Sequence, residues 1–137
     1  LSEPLEAFEL EQLASGTFRP TVSTNAWVVA AADPSPRLDI AWDAEQTIRE
    51  IVLHFDTDFD HAMETAQWGH PEDVMPFCVR DYVLRDADGK ELHRCSGNHQ
   101  TVNRIRFAEP VCTRGLSLEL THPSAQVPAA LFGIRIY

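Results

Sequence analysis

Leu116-Ser117-Leu118-Glu119-Leu120-Thr121 alternates apolar and polar positions without a break, and Phe132-Gly133-Ile134-Arg135-Ile136-Tyr137 does so again after a Pro-containing loop. A period of two marks strands with one buried and one wet face. Two such strands, joined through the turn-rich His122-Pro123-Ser124, predict an antiparallel sheet packed on a second layer. The same chemistry recurs upstream. Asn25 to Val29 is apolar and β-prone, and Asp33-Pro34-Ser35-Pro36 stops it. In Arg37 to Trp42, the residues Leu38, Ile40 and Trp42 share a face; in Thr47 to Phe55, Ile51, Leu53 and Phe55 point inward. Val79 to Arg85 puts Tyr82 and Leu84 on one side. Asp86-Ala87-Asp88-Gly89 is a turn, its glycine supplying a positive φ, and Lys90 to Cys95 returns. Val102 to Phe107 turns Ile105 and Phe107 inward and Arg104 and Arg106 outward. Regular short strands without helical stretches predict an all-β, antiparallel β-sandwich of about eight strands.

One domain accounts for 137 residues. Residues 1–16 differ from the rest: Leu5, Phe8, Leu10 and Leu13 alternate with Glu3, Glu6, Glu9 and Glu11, as in a solvated linker or a segment leading into the sheet. The sandwich then spans 17–137, with one conspicuous insertion from Thr57 to Pro76. Twenty-one acidic against eleven basic side chains give a net charge of −10, a field that repels phosphate backbones and anionic bilayers. Nucleic acid and membrane are therefore not expected partners. Cys78, Cys95 and Cys112 form no CxxC pair and are expected as buried or half-buried thiols. No Asn-x-Ser/Thr acceptor occurs. The chain begins at Leu1, so it is expected to be processed or cut from something larger, and its compartment is left open.

Candidate chemistry concentrates in three places. In His54-Phe55-Asp56-Thr57-Asp58-Phe59-Asp60-His61, carboxylates at Asp56, Asp58 and Asp60 have the spacing that converges oxygens on Ca²⁺. Counted from Asp56, position six is His61, where an EF-hand needs Gly, and position twelve is Gln67, where it needs Glu. A strand running out into a solvated polar loop is the competing reading. The insertion holds Trp68, His70, Glu72 and Asp73, an aromatic ring for a sugar face and polar groups for its hydroxyls, or else the loop's own anchor. Asn98-His99-Gln100, at a corner between strands, is the third cluster. Catalysis is not expected: Cys95 near His93 and His99 is the best thiol–imidazole pairing, and neither HExxH nor GxGxxG occurs.

Asn25-Ala26-Trp27-Val28, then Pro36 to Ile40, then Ile48 to Phe55, and the closing Arg106-Phe107…Leu116-Ser117-Leu118…Phe132 to Tyr137 together resemble the discoidin, or coagulation factor 5/8 type C, domains over about Thr17 to Tyr137. The resemblance implies a galactose-binding-like jelly roll. Arg37 stands where that family usually has an aromatic residue, and the family's terminal cysteine pair is missing. More narrowly, Phe18-Arg19-Pro20…Thr24 to Trp27, Phe55 to Asp58 and Val79 to Tyr82 resemble the C-terminal module of certain bacterial FAD-dependent oxidoreductases.

The expected function is then a non-catalytic accessory module with no cofactor of its own, Ca²⁺ at the aspartate run aside. Its partner would be the rest of a larger polypeptide, docked through an apolar face where Val52, Val83 and Val102 point outward. The alternative is a carbohydrate-binding module, its glycan held by Trp68 or Trp27 with Asn25, His70, Arg80, Asn98 and His99.

Overall fold

A computed structural model describes residues 26–56 and 77–137. Six strands follow one another: β1 (Trp27–Val28), β2 (Arg37–Phe55), β3 (Tyr82–Asp86), β4 (Glu91–Cys95), β5 (Val102–Leu120) and β6 (Ala130–Ile136). All pairings are antiparallel, in the order β1-β6-β2-β5-β3-β4.

Eight segments become six strands because two pairs fuse. The stretches 37–42 and 47–55 are the two halves of β2, and 102–107 and 116–121 lie within or at the end of β5. Each long strand carries a break instead of a loop. Pairing jumps from Ala41↔Gly115 to Gln46↔Thr113, and again from Ile48↔Val111 to Glu50↔Arg106. Pro110, which has no N–H for the ladder, falls inside the second irregularity. A bulge flips which residues face inward. In β2 the buried set passes from Leu38 and Ile48 to Ile51, Leu53 and Phe55; in β5 it passes from Ile105 to Leu116, Leu118 and Leu120.

Those breaks fold the sheet over itself. One half comprises β4, β3 and the ends of β5 and β2 that pair with them; the other comprises the remaining parts of β5 and β2 with β6 and β1. The halves meet face to face, with the Phe55 and Tyr82 rings 5.4 Å apart and the Tyr82 hydroxyl donating to Asn103 Oδ1 at 2.9 Å. Leu53, Leu84, Ile51, Leu131 and Val79 are fully buried between them. The inward residues expected from alternation are the ones found, with Ile40, Trp42 and Phe107 packed at the margin of the core.

Three expectations need correction. Val52, Val83 and Val102 do point away from the core, but they make no common patch. Val83 lies on one half and the other two on the opposite half; Val52 is only 2% exposed and stands in register between Arg104 and Arg135. Cys112 is exposed rather than buried, because it faces out of β5 opposite Thr47, whose Oγ1 lies 3.6 Å from its Sγ. The closing strand starts earlier than its alternation suggests: Leu131 is buried, and a register shift between His54 and Phe55 brings Ile134 and Ile136 back to the core side.

His54 and His93 both titrate below the ordinary histidine value of 6.5. Burial is the main cause for each, and Arg135 and Arg104 add to it at His54. A lowered native value means that the unfolded chain binds the extra protons. Their contribution is therefore complete above about 6.5 and is lost as pH falls through that value toward the lowered native ones. We expect Tm to fall between about pH 7 and pH 5, and the double variant His54→Gln/His93→Gln to show a shallower fall over that window. Equal slopes in a calorimetric pH series would show that neither ring contributes.

Candidate functional site

Because both long strands double back, their free ends gather at one end of the sandwich. The β3–β4 hairpin lies at the other end beside the bend, where the Ala87 N–H donates to Thr113 Oγ1 at 3.1 Å. The free end carries the connections 29–36, 96–101 and 121–129, and the points at Asp56 and Phe77 where the described chain leaves and resumes.

Side chains tie these connections to one another. The Asn98 amide, 8% exposed, donates from Nδ2 to Val79 O at 2.9 Å and accepts at Oδ1 from the Gln100 N–H at 3.1 Å and from Asn103 Nδ2 at 3.0 Å. Its own N–H donates to Arg80 O at 2.8 Å. Asp81 Oδ1 accepts the Gly97 N–H at 3.0 Å, and Gly97 takes φ +68°, a conformation that favours glycine. Across the end, His122 Nδ1 accepts the Ala129 N–H at 2.9 Å, so Nε2 carries the proton and donates to Asp33 O at 2.7 Å. The Ser35 N–H caps Asp33 Oδ1 at 2.9 Å.

The sequence-predicted residues fall into three groups. Arg80, Asn98 and His99 come together at one corner, with Asp56 close by: its charge adds to burial in pushing the Cys78 thiol up to about 11, while Arg80 opposes that rise. Asn98 holds the corner's shape. His99 is exposed, its Nδ1 3.4 Å from Gly97 O. Arg80 is half-buried, and its Nε is buried without a hydrogen-bond partner among the described residues. Trp27 stands apart. It is half-buried against the core and pairs with Leu131, which pairs in turn with Phe55. Two strand spacings, roughly 10 Å, therefore separate it from Phe55, whose N–H donates to Thr101 O at 2.7 Å. Asn25, Trp68, His70, Asp58 and Asp60 lie outside the described residues, as do the 1–16 segment and the insertion. Among the described residues, no three His, Cys, Asp or Glu side chains are grouped to hold a metal ion.

Sequence reading missed two features of this end. His122 looked like part of a turn, and nothing local marks an imidazole that bridges loops 89 residues apart. The other is an open cleft of about 480 Å³ on the shoulder of the end, within the range of small-ligand sites. Its walls are Pro34 to Arg37, Asp81 to Val83, Arg94 to Ser96 and Glu119 to Thr121. The row Arg37–Glu119–Val83–Arg94, in register across four strands, forms its sheet side. Charge is also unevenly spread along the chain. The described residues hold twelve acids and ten bases, so most of the −10 belongs to residues 1–25 and 57–76.

No family model and no curated protein matches this chain. Solved structures do. The family 32 carbohydrate-binding module of Streptococcus pneumoniae EndoD superposes with a TM-score of 0.71 at 17% identity, over 100% of this chain and 90% of that one. The family 32 module of C. perfringens NanJ, solved in complex with galactose, gives 0.66 at 9% identity, over 98% and 88%. SpGH29 gives 0.63 at 18% identity, over 97% of this chain but 24% of its own length. At these identities the likeness establishes the fold, a galactose-binding-like β-sandwich.

Proposed function

We propose that this chain is a non-catalytic carbohydrate-binding module whose loop-rich end holds a glycan. The observation that carries the reading is the corner itself: a hydrogen-bonded frame built on Asn98 presents the exposed His99 beside Arg80. Polar donors set by a rigid frame suit hydroxyl recognition, because little has to be ordered when ligand arrives. The neighbours support it: family 32 carbohydrate-binding modules share the fold, one of them solved with galactose. The docking expectation finds less support, because Val52, Val83 and Val102 share no common patch. Placement in a larger polypeptide is supported by SpGH29, of which the matched part is about a quarter. A flavoenzyme as that parent rests on sequence resemblance alone.

Thermal unfolding against a panel of galactose, fucose and chito-oligosaccharides tests the reading. A bound sugar at ten times its Kd stabilises by about 1.4 kcal/mol, or several degrees for a domain of this size. We expect such a shift with at least one sugar, and its loss in His99→Ala, a substitution at an exposed side chain that leaves the frame intact. An EDTA arm in the same series tests Ca²⁺ at Asp56, Asp58 and Asp60. A panel with no shift at any sugar would refute glycan binding.

A further inference from the structure

The cleft on the shoulder shares no residue with the Arg80–His99 corner, and four charged residues line it: Arg37, Arg94, Asp81 and Glu119. Arg37 Nε bonds Asp39 Oδ1 at 2.8 Å. Arg94 holds Glu91 through two bonds, of 3.1 and 2.8 Å, and keeps that carboxyl below the usual range. Glu119 meets Arg85 at 3.3 Å. Each of these cleft charges is thus matched by a neighbour of opposite sign. Asp81 is not: it is exposed, it lines the cleft, and among the described residues its carboxylate accepts only the Gly97 N–H. Around it stand the hydroxyl-bearing Ser35, Ser96 and Thr121. Arg37 meets Asp39 through Nε alone, which leaves its two Nη groups as donors at the cleft wall.

We propose that this cleft is a second ligand site, separate from the corner, that takes an amino sugar residue. Its ammonium group meets Asp81, and its hydroxyls meet Arg37, Ser96 and Thr121. Three of the four lining charges pair with residues outside the cleft, so the remaining carboxylate, without an ionic partner among the described residues, selects a single positive charge. An anionic sugar would face Asp81 with no free cation among the described lining residues to offset it, since both arginines already have carboxylate partners. A neutral sugar would leave the Asp81 charge unanswered. The setting is exposed, so the pairing is modest in strength and sensitive to salt.

The test uses the whole ¹⁵N-labelled chain at about pH 6 and low ionic strength, titrated with a glucosamine trimer and, separately, with its fully N-acetylated counterpart. We expect saturable amide shifts at Ser96 and Thr121 with the glucosamine trimer. Affinity should be on the order of fivefold weaker for the N-acetylated trimer and for Asp81→Asn, as suits one exposed charge pair. Asparagine keeps an acceptor for the Gly97 N–H, so the variant retains the loop, and an unchanged amide spectrum away from the cleft confirms it. Raising the salt should weaken the trimer's binding to the unaltered protein, a readout that needs no variant. Equal affinity for the two trimers, equal affinity in Asp81→Asn, or shifts confined to Arg80 and His99 would overturn the site. Shifts confined to that corner would still leave the glycan-binding reading intact.

Discussion

Asn98→Ala is expected to cost about 3 kcal/mol and to lower Tm by roughly 10 °C. The side chain is 8% exposed, and its amide serves both as donor and as acceptor to the backbone and to Asn103. Alanine would leave the Val79 carbonyl and the Gln100 N–H without that partner, and each buried orphan costs about 1–3 kcal/mol. The loss also spreads. Asn103 accepts the Tyr82 hydroxyl, so a loosened Asn98 frees a network that reaches the ring packed on Phe55. The same substitution should abolish sugar-induced stabilisation, because the frame presenting His99 and Arg80 is gone. Chemical denaturation of both proteins measures the first effect; a difference below about 1 kcal/mol would mean that backbone bonds alone hold the corner.

Gly115→Ala is expected to be nearly as damaging, at about 3 kcal/mol, for a different reason. A Cβ at this position would stand 2.8 Å from the Ile40 carbonyl oxygen, with the Ala41 Cα and Ala87 Cβ both at 3.7 Å. The obstructing atom is backbone, held in the β2–β5 ladder at the point where the sheet folds over. Relief requires the two longest strands to part. Gly89→Ala is the contrast: nothing lies within 4 Å of its would-be Cβ, so its penalty is the φ of +82° alone, about 1 kcal/mol. Denaturant midpoints for the two variants should differ clearly, and similar midpoints would show that the bend absorbs a methyl group.

These two residues also mark what the sequence could and could not disclose. Strand positions and their inward faces were legible because alternation is a local property: Leu38, Ile51, Leu53, Tyr82, Leu84 and Leu118 each declare a side within a few residues. The turn at Gly89 was legible for the same reason. Fusion of segments into β2 and β5 was not, since a bulge that carries a strand from one layer to the other looks, in sequence, like a loop between two strands. Gly115 therefore passed as an ordinary residue, although the fold turns on it. Charge patterning led to the loop end but not to its structure. Asn98 and His99 were picked out as polar residues at a corner, yet that one is a frame and the other a presented ring depends on Val79, Gln100 and Asn103. The cleft was invisible, because Arg37, Asp81, Arg94 and Glu119 come from four separate places along the chain and meet only through cross-strand register.

The loop-rich end as the glycan-binding face is the claim on which the rest depends, and amide mapping tests it most directly. The sugar that raises Tm most in the panel would be titrated into the ¹⁵N-labelled chain. We expect saturable shifts concentrated at Arg80 and Gly97 to Thr101, with the β3–β4 hairpin around Ala87 to Gly89 unmoved. Shifts centred on that hairpin or on the bend at Thr113 to Gly115, with the Asn98 corner silent, would contradict it.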